Sequence, residues 1–143
     1  MSAPLPLCVI GGGQIGGRHI EVALAARRLL KRPVVLGCMP VIGHSAPVTL
    51  AGGLAQAIAE GLMQDVLSLA FNGDIAGQVP APLVSDMRIG SICEAGPDNV
   101  LAKLGAAQMG QFIYGHTPVA QMALTTMAKA PGPQAILEKM GNG

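Results

Sequence analysis

The sequence predicts an α/β fold built from parallel βα units. Short apolar runs of strand length alternate with longer stretches of helical periodicity, and that spacing pairs strands in parallel through helical crossovers. The chain has 143 residues, the size of one domain. Half of its residues are apolar and 12% are charged, so it can bury a core. Aromatics make up only 2% (Phe71, Phe112 and Tyr114). Small apolar side chains bury little area each, so such a core must pack densely.

The elements follow in order. LPLCVIG (5–11) is a short apolar run closed by glycines and reads as a buried strand. RHIEVALAARRLLKR (18–32) has helical periodicity, with Ile20, Leu24, Val22, Ala26 and Leu29 inward and Arg27, Arg28 and Lys31 outward. Pro33 stops that helix, and PVVLGCM (33–39) reads as a second buried strand. PVIGHSAP follows as a loop, and Thr49 is placed to cap a helix over about 50–70. The apolar stripe expected there is Leu54, Ile58, Leu62, Val66 and Leu69. Gln56, Glu60 and Gln64 repeat on another face, which reads as solvated or interfacial.

FNGDIAGQVPAP reads as a loop or weak strand, PLVSDM (82–87) as a third strand, and RIGSICEAGPDN as a loop. Pro97 or Asp98 opens a helix through about Phe112. AQMALTTMA is ambiguous, GPQAILEKM starts a short helix, and residues 140–143 are expected to fray. No repeat or linker divides the chain, so a single domain over 1–143 with three or four strands is expected.

Composition excludes several classes of partner. The net charge is +1, and the one basic cluster, Arg27, Arg28, Lys31 and Arg32, sits where a helix C-terminus favours cations. Nothing here resembles a nucleic-acid surface. Residues 33–59 carry no Asp, Glu, Lys or Arg, but their prolines and glycines interrupt the roughly 20 apolar residues that a membrane span needs. Three cysteines (Cys8, Cys38, Cys93) form no close pair, so neither a disulfide framework nor a zinc knuckle is expected. The N-terminus lacks the pattern of a signal peptide. A cytoplasmic setting fits these features.

The segment CVIGGGQIGGRH places Gly11, Gly13 and Gly16 in a G-x-G-x-x-G spacing between a strand and a helix. That is the geometry of a dinucleotide loop, and it admits NAD(P) as an alternative ligand of a small Rossmann-like doubly wound sheet. With Arg18 and His19 it also resembles the start of sugar dehydrogenases of the glucose–fructose oxidoreductase type. The fingerprint wants an acid at the end of the second strand to hold the ribose hydroxyls. Cys38 and Met39 stand there instead.

PVIGHSAPVTLAGGLAQAIAEG (40–61) resembles the most recognisable segment of the trimethylamine:corrinoid methyltransferase family. Pro40, Gly43, Pro47, Val48, Thr49, Leu50, Ala51, Gly52, Leu54, Gln56, Ala59 and Glu60 match that pattern in order. SDMRIGS matches a second family stretch through Asp86, Met87, Arg88 and Gly90. GPDNVLAKLGAAQMGQFIYG resembles a third, and MAKAPGPQAILEK a fourth through Ala128, Lys129, Pro131, Gln134, Ala135, Glu138 and Lys139. The chain departs from the family at Met127 and Gly132, where aspartates are usual.

The resemblance implies a TIM barrel, whose strand-end loops build the active site. Such a barrel typically takes about 250 residues, so this chain is expected to represent part of one. Its open sheet edges would be covered by self-association or by a second, barrel-completing chain. The implied activity is transfer of a methyl group from a methylated amine or betaine to the corrinoid of a separate protein. No cofactor is then bound directly, and no metal motif is visible. Two alternatives stand beside it: a non-catalytic binding or assembly protein derived from that family, and the dinucleotide-binding domain.

Under the resemblance Asp86 and Arg88, which follow the third strand, are the candidate catalytic residues. His44, Tyr114, Lys129 and Gln134 are candidate substrate-binding residues. A methylated cation is held by carboxylates and aromatic faces. With aromatics so scarce, Tyr114 and Phe112 are the ring candidates.

Overall fold

A computed structural model describes residues 7–11, 17–31, 34–75, 77–88, 90–93, 96–116 and 130–141. Strand β1 (Leu7–Gly11) leads through helix α1 (Gly17–Leu30) to β2 (Val34–Cys38), which pairs with β1 in parallel from Leu7 opposite Val34 to Gly11 opposite Cys38. Two residues on, β3 (Val41–Ile42) leads through α2 (Leu50–Asn72) to β4 (Leu83–Asp86). The β3–β4 pairing is again parallel, Val41 opposite Leu83 and Ile42 opposite Val84. The expected βα units and their parallel crossovers are therefore present in a mixed α/β fold.

Strand β5 (Ser91–Cys93) pairs antiparallel with β4 and lies in a stretch that the sequence marks as loop. β3 likewise falls inside an expected loop. Both are two or three residues long, too short to show a period of their own. Helices α3 (Pro97–Tyr114) and α4 (Pro133–Gly141) complete the described chain. The latter reaches into residues that the sequence marks as frayed.

Helix ends follow local chemistry. Thr49 caps α2 by accepting the Gly52 N–H at 3.1 Å. Left-handed Gly73 (φ 79°) and Gly115 (φ 73°) close α2 and α3, each donating its N–H four residues back, to Leu69 and Gln111. Lys31 ends α1 at φ 49°.

The core lies between helices and strands and uses small residues. Val34 packs with Ala23 and Ala26 of α1 and with Leu67 and Phe71 of α2, so both helices cover the same face of β2. A second cluster joins Val79, Ala81 and Ala106 to Leu54, Ile58, Ile113 and Tyr114. On α2 the buried face is Gly53, Ala57 and Gly61, continued by Gln64, Asp65 and Ser68. The expected stripe is only partly inward: Leu54 and Ile58 are half-buried, whereas Leu62, Val66 and Leu69 are exposed. On α1, Val22 and Leu29 are likewise exposed, and Ala23 takes the buried place. Close approach explains both reversals, because a helix seats on a strand where its side chains are smallest.

Candidate functional site

The loop after β3 is the stretch GHSAP, and it is pinned from three sides. Val41 C=O accepts the N–H groups of His44, Ser45 and Ala46 at 2.9–3.0 Å. Ser45 Oγ accepts the Val41 N–H at 3.0 Å. Gln56 on α2 donates to the Ser45 carbonyl at 3.1 Å and to Glu60 Oε1 at 2.8 Å. The Pro47-to-Gly53 corner is then locked by contact. A Cβ on Gly52 would stand 2.7 Å from Pro47 Cβ, and one on Gly53 would stand 2.5 Å from Ile42 Cγ1. The glycines, Thr49 and Pro47 of the corner therefore have structural roles.

Beyond this loop, the C-terminal ends of β3 and β4 face the N-terminus of α3 across a groove with two lobes. The polar lobe, about 380 Å³, is lined by residues 84–88 at the end of β4 and by Gly96, Pro97, Asp98 and Asn99. The apolar lobe, about 280 Å³, is lined by Ile42, Val48, Leu50, Val84, Asp98 and Leu101. Val84 and Asp98 border both lobes. Ligands of α/β proteins commonly bind at the carboxyl ends of parallel strands, where this groove lies.

Within the polar lobe Asp86 Oδ1 accepts the Arg88 N–H at 2.9 Å, and Arg88 Nε stands 3.8 Å from the same oxygen. The Arg88 side chain is 94% exposed and the Asp86 side chain 32%. A solvent-screened pair of this kind contributes little to stability. Asp98 lies in the first turn of α3, where the helix N-terminus favours a carboxylate. Among the described residues, the charged groups of the groove are thus two carboxylates and one guanidinium. No aromatic among the described residues lines either lobe.

The structure brings Asp86 and Arg88 into the groove and leaves other candidates outside its lining. His44 is exposed on the loop after β3. Gln134 is exposed on α4 and donates to Glu138 Oε1 at 2.8 Å, a one-turn surface pair. Tyr114 stands at the far end of α3, where its hydroxyl donates to Asp65 Oδ2 at 2.5 Å and its ring stacks on His116 with centroids 6.1 Å apart. Burial first, and then the neighbouring Asp65 carboxylate, push the Tyr114 phenol up to about 12. Phe112 is exposed. Lys129, Gly13, Gly16 and the ambiguous AQMALTTMA run lie outside the described residues. Gly11 ends β1, opposite Cys38.

Sequence reasoning missed Asp98 and the apolar lobe. Asp98 follows a proline at a helix start, where an acid reads as a capping feature. It also missed a polar cluster beneath α2, where Gln64 donates to Cys38 Sγ and Glu60 stands close by. Burial first, and then Glu60, push the Cys38 thiol up to about 12, so it is a poor nucleophile. A signal for this cluster was present in the four-residue spacing of Gln56, Glu60 and Gln64. It pointed to a shared face, and that face turns toward the end of β2. Among the described residues no three His, Cys, Asp or Glu side chains converge as a metal site, and no helix is long and apolar enough to cross a membrane.

Parallel βα units with a groove at their strand ends define a mixed α/β protein. The family model of trimethylamine methyltransferase (MTTB) matches residues 20–142, most of the chain, and the chain belongs to that family. A search of the curated proteins finds no match. The matched region begins after the Gly11–Gly16 segment and contains the described residues of the groove.

Proposed function

We propose that the groove binds a methylated amine or betaine and presents one of its N-methyl groups to the corrinoid of a separate protein. One observation carries this reading: in a chain of the trimethylamine methyltransferase family, Asp86 and Asp98 line a single small lobe at the strand ends. Two carboxylates there supply the charge that a methylated ammonium needs, and a carboxylate on a betaine would meet Arg88. At about 380 Å³ the lobe suits a small amine and is far too small for a corrinoid ring, which fits a corrinoid carried by the partner.

Reduced corrinoid supplies a strong nucleophile that accepts a methyl group. Transfer to it would leave the C–N electron pair on nitrogen and release an amine with one methyl fewer. A quaternary nitrogen, as in a betaine, or a protonated amine would lose its positive charge over this step. The carboxylates therefore serve to bind and orient the substrate. They do not drive the transfer, because they stabilise the charged ground state more than the neutral amine product.

The parallel units, with α1 and α2 on one face of β2, support a segment of a TIM barrel, and the opposite face would then be the interior. Exposed Leu62, Met63, Val66 and Leu69 on α2 support self-association of a single domain. Sedimentation across micromolar concentrations tests that point, and a folded species that stays monomeric would refute it. The sparse cysteines fit a cytoplasmic setting.

Calorimetry with tetramethylammonium, trimethylamine and glycine betaine tests the binding step, and the visible spectrum of added reduced cobalamin tests the transfer. The expected result is saturable binding that Asp86→Asn and Asp98→Asn weaken. Absence of binding for every amine would refute the assignment. Saturable stabilisation by NAD or NADP would favour the dinucleotide alternative. Cation binding without any transfer, to cobalamin or to a corrinoid protein, would favour a non-catalytic binding protein.

A further inference from the structure

The groove has more room than a trimethylamine head requires, and the extra room has a distinct chemistry. Its second lobe adds about 280 Å³ walled by Ile42, Val48, Leu50, Val84 and Leu101, all aliphatic. Val48 is 80% exposed and Leu101 52% exposed, so the lobe holds open apolar surface that a ligand would cover. Among the described residues, Asp98 is the charged one that borders both lobes. A carboxylate at the neck of an aliphatic trough is complementary to one kind of molecule, with a cationic head and a hydrocarbon arm attached to it.

We propose that the preferred ligand is an N-methylated ammonium carrying an aliphatic chain of several carbons. The head sits at Asp98 and the polar lobe, and the chain lies along Val48, Leu50 and Leu101. This rests on the reading of the groove as an amine site and adds its substrate class. Charge selects the head, since among the described residues of the polar lobe two carboxylates stand against Arg88. Apolar burial selects the arm, and each methylene fully removed from water tightens binding about fourfold. A compact amine would leave the aliphatic lobe wet and gain none of this.

Calorimetry on the full chain with tetramethylammonium and with ethyl-, butyl- and hexyl-trimethylammonium reads both terms. Affinity should climb with chain length, by up to about fourfold per methylene, and level off when the lobe is filled. Leu101→Asn should flatten that climb with chain length. Val48→Ser, at a more exposed position, repeats the test independently of any effect of the first variant on folding. Asp98→Asn should weaken every cation and leave the neutral isostere, with carbon in place of nitrogen, unaffected. Tetramethylammonium binding with no chain-length dependence would overturn the aliphatic arm and leave the amine site standing. No binding by any cation would remove the amine site and this inference together. Equal binding of the neutral isostere would overturn the role given to Asp98.

Discussion

Tyr114 donates its hydroxyl hydrogen to Asp65 at 2.5 Å, across 49 positions of sequence. Asp65 is buried on α2, and its other oxygen accepts the Gly77 N–H at 2.9 Å. One carboxylate therefore ties the end of α3 and the loop before β4 to the middle of α2. The opposite end of α3 carries Asp98 and borders the groove, so this tie helps set where the groove wall stands.

Tyr114→Phe removes one of the two donors and leaves the buried Asp65 oxygen short of a partner. Such a loss costs about 1–3 kcal/mol. We expect a fall of about 2 kcal/mol in urea denaturation, with little change of shape in far-ultraviolet circular dichroism. A variant as stable as the parent would mean that the Asp65 carboxylate is satisfied in another way.

The same pair predicts an alkaline dependence with a defined sign. Folding raises the Tyr114 phenol from its ordinary 10 to about 12, mainly through burial and then through Asp65. A group whose folded value is raised contributes stability fully below its unfolded value, and that contribution is lost as pH rises through the folded value. The stability difference between parent and Tyr114→Phe should therefore shrink between pH 10 and 12. Cys38 acts alike, from 9.0 to about 12, in both proteins and so cancels in the comparison. A difference that stays constant through this window would contradict the assignment.

Burial of Cys38 also predicts slow chemistry at sulfur. In a Cys8→Ser/Cys93→Ser protein the remaining thiol should react with a disulfide reagent only at the rate at which the structure opens, at pH 8. Adding urea below the unfolding midpoint should accelerate it. Rapid labelling in buffer would show an accessible thiolate.

The alternating units, the Thr49 cap and the helix starting at Pro97 were legible because each rests on local chemistry: apolar runs, a hydroxyl before a helix, a proline at a first turn. The inward face of α2 was not. Hydrophobicity points to Leu62, Val66 and Leu69, but Gly53 sits against Ile42 of β3 and Gly61 against residues 78–80, where distance of approach decides. The groove was half legible. Asp86 and Arg88 follow a clear strand and stand in it. Asp98 and Leu101 belong to it because α3 folds back onto β4, and neighbours distant in sequence leave no periodic trace. Tyr114 was read as a ligand contact, whereas its observed hydrogen bond is to Asp65.

Thr49→Ala tests the corner at the start of α2. The Thr49 hydroxyl accepts the Gly52 N–H at an exposed site, so its loss should cost about 1 kcal/mol. Thr49→Asp or Thr49→Ser should restore most of it, because either offers an oxygen at the same place. If alanine proves neutral, the hydrogen bond is replaced by water at no cost.

Gly61 and Gly105 form the last test, because helix propensity and packing oppose one another there. Replacing a mid-helix glycine with alanine gains about 1 kcal/mol from reduced chain entropy. At Gly105 the new methyl would meet Leu54 Cδ1 at 2.7 Å, the tip of a side chain that can rotate away. At Gly61 it would meet Pro80 Cδ at 2.9 Å and the Gln78 carbonyl oxygen at 3.0 Å, a ring and a backbone atom that cannot. Overpacking against rigid atoms costs about 1–3 kcal/mol and outweighs the gain. Gly105→Ala should therefore be neutral or slightly stabilising, and Gly61→Ala destabilising by about 1 kcal/mol, in parallel urea titrations. Equal stability of the two variants would show that α2 does not rest on residues 78–80. The small-residue face of α2 would then have to be explained by some contact other than the loop that leads into β4.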